Sequence, residues 1–137
     1  MANTKPIGVA YSDQDISGAD QLLSSSKLGY TTAAQGTVTQ ATSKATGVTL
    51  SKSAGAITLN GAALAFGVTA FFTLTNSLIS ANDTVILTIA SGATQSAYNV
   101  WVGSLAAGSC TINIKNITAA TNLSEAVVIN FALIHCD

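Results

Sequence analysis

A chain of 137 residues makes one domain with room for a single core, and its charges are few: five Lys, no Arg, six acids and a net charge of −1. That balance supplies no basic patch for a phosphate backbone, which excludes nucleic acid as a partner, and no acidic tail. With 48% hydrophobic and only 8% charged residues, a lone soluble monomer would risk self-association, so much of the surface is expected to be covered by other subunits.

Residues 1–34 differ in kind from the rest. They hold the one Pro, three of the six acids (Asp13, Asp15, Asp20) and a Ser run at Ser24–Ser26. Apolar residues come singly or in pairs, as Ile7, Val9, Tyr11, Leu22-Leu23, Leu28 and Tyr30. Asp20–Leu28 suits a short helical turn with Leu22, Leu23 and Leu28 on a weak apolar face. The segment reads as an N-terminal arm, extended or partly helical, with Ile7, Val9 and Tyr11 as its contacts to a neighbouring subunit. No apolar run of signal-peptide length follows Lys5, and Gly61–Leu74 is too short and interrupted to span a bilayer. The expectation is a cytoplasmic product with no membrane partner.

Residues 35–137 read as a β domain. Gln35–Ala41 is the first predicted strand. Gly47–Lys52 and Ala54–Asn60 follow, with Lys52–Gly55 as a hairpin connection between their alternating Thr and apolar residues. The Thr-rich outer face here, with only Lys44 and Lys52 for charge, reads as a docking surface. Val68–Asn76 puts Phe72 and Leu74 on one face and Phe71 on the other. In Asp83–Ser91, Val85, Leu87 and Ile89 oppose Thr84, Ile86 and Thr88. Ser96–Leu105 sets Tyr98, Val100 and Val102 against Trp101. Ser109–Ile117 turns Cys110, Ile112 and Ile114 inward. Glu125–His135 is apolar on both faces, with Val127, Ile129, Phe131 and Leu133 opposite Val128, Ala132 and Ile134. About eight strands at short spacing, with turn formers between them and no helical pattern, predict an all-β antiparallel sandwich or jelly roll. The outward-facing Phe71, Ile86, Trp101 and Val128 are candidate interface residues, since several large apolar side chains on outer faces imply a covered surface.

Catalytic groups are not in view. The single His135 has too few companions for a metal site and reads as a polar residue ending a strand. Asp13 and Asp15 lack the other oxygen ligands of a calcium loop. Asp83 reads as a turn residue and Glu125 marks a strand entrance, with no defensible carboxylate pair. Cys110 and Cys136 fit no metal or redox spacing; Cys110 suits the core and Cys136 a surface. Asn82, Asn116 and Asn122 open glycosylation-like triplets that read as chance in a Thr- and Asn-rich chain. Not an enzyme, and no cofactor, is the expectation.

Four stretches carry a resemblance: ANTKPIGVAYSDQDISGA (2–19), GTVTQATSKATGVTLSKSAGAITLNGAAL (36–64), FTLTNSLISANDTVIL (72–87) and NITAATNLSEAVVINFALI (116–134). They are similar to small structural proteins of tailed bacteriophages, which occur as stand-alone virion proteins and as domains of larger tail proteins. The resemblance implies a virion protein. A chain with only an arm and one β domain suits a capsid decoration (cement) protein. It would be made in the host cytoplasm and sit on the outer surface of the capsid. Its partners would be the major capsid protein and its own copies, as a homotrimer. The alternative is a trimeric receptor-binding knob or tail-fibre tip that uses Tyr98, Trp101 or the Ser91–Ser96 loop to bind a host surface glycan.

Overall fold

The computed structural model of the protein describes residues 28–136. A short 3-10 turn at Thr32–Ala34 leads into eight strands: β1 (Gln35–Thr39), β2 (Val48–Thr49), β3 (Ala54–Thr58), β4 (Thr69–Thr75), β5 (Thr84–Ser91), β6 (Tyr98–Ala106), β7 (Ser109–Asn116) and β8 (Val128–Ile134). They form two four-stranded sheets, in the orders β1-β3-β8-β5 and β2-β4-β7-β6, which pack as a β-sandwich. Every predicted strand is present, most of them shorter by a residue or more at one or both ends.

The topology differs from the sequence expectation in one respect, and the connections explain it. From β1 to β6 each connection carries the chain from one sheet to the other. Strands two apart in sequence therefore run in the same direction, and β1 pairs with β3 and β2 with β4 in parallel. The other four pairings are antiparallel, so both sheets are mixed. The predicted hairpin at Lys52–Gly55 is instead an arch between sheets. Asn76 Nδ2 donates to Lys52 O at 2.7 Å, and Ser53 N donates to Ala34 O at 3.1 Å. Turn chemistry resembling a hairpin thus serves a crossing, because the bonds closing it come from distant segments. Among the described strands only β6 and β7 are joined as a hairpin, through Gly108 at φ +79°.

Alternation sorts the side chains as period two requires. Ile57, Leu74, Ile112, Ile114, Val127 and Ile129 are fully buried between the sheets. Phe131 lies in one register row with Gly55 and Gly36, whose missing side chains make room for it and for Leu50. A Cβ on Gly55 would stand 2.5 Å from Gly36 O and 3.0 Å from the Phe131 ring.

Four polar anchors complete the interior. Gln40 donates to Lys44 O and Thr46 O and accepts from Asn60 N. Asn116 Nδ2 donates to Leu64 O and Thr121 O, and Asn76 ties the arch described above. The fourth is Lys44, which the sequence placed on an outer docking face. Its side chain is buried, and its ammonium donates to Asn60 O and Glu125 O, each at 2.6 Å. The loop after β1 folds back over the end of the sandwich and carries Lys44 inward. Burial lowers the Lys44 pKa, an effect partly opposed by the Glu125 carboxylate.

Candidate interaction faces

The candidate interface residues fall into three places. Ile7, Val9 and Tyr11 lie outside the described residues. Ile86 and Val128 stand on the outer face of the β1-β3-β8-β5 sheet, and Phe71 and Trp101 on the outer face of the β2-β4-β7-β6 sheet. Two packed sheets are about 10 Å apart and turn their outer faces in opposite directions. The four residues therefore belong to two surfaces and not to one covered patch.

The first surface is aliphatic. Ile86 pairs with Ala132, which pairs with Ala54, and Ile134 lies beside them opposite Thr84. Ile86 is 47% exposed and Ile134 50% exposed, whereas Val128 at the far end of β8 is half-buried. Ala54, Ala56 and Ala132 keep the middle of the face low, and the exposed Asn130 stands beside them between Ala56 and Thr88. At one end Leu28, Gly29 and Tyr30 border a cavity of about 520 Å³ with Ala132, Leu133, Ile134 and His135. The Tyr30 hydroxyl donates to Leu133 O and fixes that border. Ile134 was legible as an outward residue of β8, but a two-faced apolar strand gave no reason to rank it beside Ile86.

The second surface is aromatic and polar. Phe71 pairs with Asn113, and Asn113 pairs with Trp101, so the three stand in one row across β4, β7 and β6. Phe71 is 65% exposed and Trp101 38% exposed. The flanking rows are Thr69, Lys115 and Asn99 on one side, and Thr73, Thr111 and Ser104 on the other. Lys115 is the face's sole charge among these residues. The Asn113 amide lies over Gly103, where a Cβ would come within 2.2 Å of its nitrogen. A bulge in β6 between Val102 and Ser104 places that glycine.

The remaining polar groups sit at the ends of the sandwich. His135 Nδ1 is 2.9 Å from Asp83 Oδ2. The Asp83 carboxylate also accepts from Ser80 N, Ser80 Oγ and Cys136 N. The Ser80 N–H contributes most to pulling the Asp83 pKa down to about 2, against the opposing effect of burial. The sequence read Asp83 as a turn residue. It is one, and it also ties the chain's last strand to the start of β5. At the other end Thr94 Oγ1 donates to Glu125 Oε1, which lowers the Glu125 pKa. Tyr98 Oη and Glu125 Oε2 are buried without hydrogen-bond partners among the described residues. Burial, and then the nearby Glu125, raise the Tyr98 pKa.

The Ser91–Ser96 loop borders a concavity of about 330 Å³ together with Ile89, Ala90 and Tyr98. Tyr98 faces the core and Trp101 faces outward, so the two cannot share one ligand. Both cysteines are free, Cys110 buried and Cys136 exposed, and burial pushes the Cys110 thiol up to about 11. Asn116 is engaged inside the fold by its amide, so its glycosylation-like triplet is not an accessible acceptor. Among the described residues no three His, Cys, Asp or Glu converge as a metal site, and no helix is long and apolar enough to cross a membrane. No family model, curated protein or solved structure matches the chain.

Proposed function

We propose that the protein is a structural component of a phage virion, a capsid decoration or cement protein that binds the outer surface of the head shell as a homotrimer. The observation that carries this reading is the exposed aliphatic face formed by Ile86, Ala132 and Ile134 on a domain with almost no charge. Such a face suits contact with another protein surface, here the major capsid protein or a second copy. The sequence resemblance supports the same reading, and Ile7, Val9 and Tyr11 would add contacts from the arm. The mechanism is mass action: a protein that binds only the assembled lattice stabilises that lattice. Each Å² of apolar area removed from water contributes roughly 25 cal/mol before the costs of association. No catalytic group is required. The test is to label the protein in purified particles and image them. Label on the head shell agrees with the proposal, and label confined to the tail rejects it.

A further inference from the structure

We infer that the outer face of the β2-β4-β7-β6 sheet is a binding site for an extended, neutral oligosaccharide. Phe71 and Trp101 are two strands apart, a separation of about 10 Å at ordinary strand spacing. Both rings are exposed on one face of the sheet, with the Asn113 amide between them in the same row. The C–H faces of a sugar ring carry partial positive charge and stack on the negative face of an aromatic ring. An extended chain of sugars laid across the strands would stack on one ring, pass the Asn113 amide and stack on the other. Asn113 makes no side-chain hydrogen bond to the described residues, so its donors and acceptor remain for sugar hydroxyls. Thr69, Thr73, Thr111, Ser104 and Asn99 border the row with groups of the same kind.

Charge selects the partner. Among the described residues Lys115 is the face's one charged group, so neither a phosphate backbone nor an acidic polysaccharide finds a matching field. The face opposite carries the Asn130 amide between Ala56 and Thr88 but no aromatic ring in its strand rows, and its exposed Ile86 and Ile134 suit protein instead. The inference goes beyond the decoration reading and does not depend on where in a particle the protein sits. Were the aliphatic face seated on a shell, this face would point away from it.

Trp101 is the chain's single Trp, so its fluorescence reports on this face alone. The full-length protein is titrated with cellohexaose and xylohexaose as probes. The expected result is a saturable change in Trp fluorescence with at least one of them. Phe71→Ala should weaken binding about tenfold, and Gly103→Ala, which displaces the Asn113 amide without touching either ring, should weaken it severalfold. Ile86→Asp, on the opposite face, should leave it unchanged. Two results would overturn the inference. One is fluorescence unmoved by either sugar at millimolar concentration. The other is fluorescence that responds to protein dilution and not to sugar, with a matching fall in sedimentation mass, because a second copy would then occupy the face.

Discussion

Lys44 holds the loop after β1 against two carbonyls from distant parts of the chain, Asn60 O and Glu125 O. Lys44→Met keeps the aliphatic stem and removes the donors, leaving both acceptors poorly satisfied. The expected loss is about 2–3 kcal/mol in chemical denaturation, since an orphaned buried acceptor costs about 1–3 kcal/mol. A variant as stable as the native protein would mean that water replaces the ammonium. Nothing local marked this lysine as internal: Ser43-Lys44-Ala45 reads as loop, and the partners lie 16 and 81 residues away. Asp83 offers a second test. Its pKa is depressed in the fold, so its contribution is complete above the ordinary carboxylate value near 3.8 and disappears as pH falls toward about 2. The native protein's melting temperature should fall more steeply than that of Asp83→Asn across that window. Parallel curves would show that the carboxylate's bonds to Ser80, Cys136 and His135 add no stability.

At the scale of elements, the strands were legible because Thr and apolar residues alternate, and the inward sets of β4, β5, β7 and β8 are those the alternation names. Pairing was not legible. Period two fixes which way a side chain points but not which strand lies beside it, and Lys52–Gly55 has the composition of a hairpin turn although it crosses the sandwich. The same limit applied to the candidate interface. Phe71, Ile86, Trp101 and Val128 were identifiable as outward, while their division between two faces follows only from the register. Gly55 tests the packing at the parallel β1–β3 pair. Gly55→Ala places a methyl 2.5 Å from Gly36 O, a backbone atom that cannot move aside cheaply. The expected destabilisation is about 2–3 kcal/mol by denaturant midpoint, within the range for overpacked sites. A neutral outcome would mean that β1 is free to shift relative to β3.

At the scale of the molecule, a sandwich with one aliphatic face and one aromatic-polar face can engage two different surfaces at once. The composition gave the motive for expecting covered surface, and the fold gives its directions. A domain this poor in charge should self-associate, and sedimentation equilibrium should return a mass near three times the 13.8 kDa of one chain. A monomer at micromolar concentration would remove the argument from solubility. Ile86→Asp leaves the core untouched, so its stability should stay within about 0.5 kcal/mol of native, as for ordinary surface changes. The most direct measurement is therefore co-sedimentation with purified phage heads stripped of this protein, comparing the native chain, Ile86→Asp and Phe71→Ala. The expected result is binding by the native chain and Phe71→Ala and at least tenfold weaker binding by Ile86→Asp. Equal binding by all three, or none by the native chain, would contradict a decoration protein that docks through its aliphatic face.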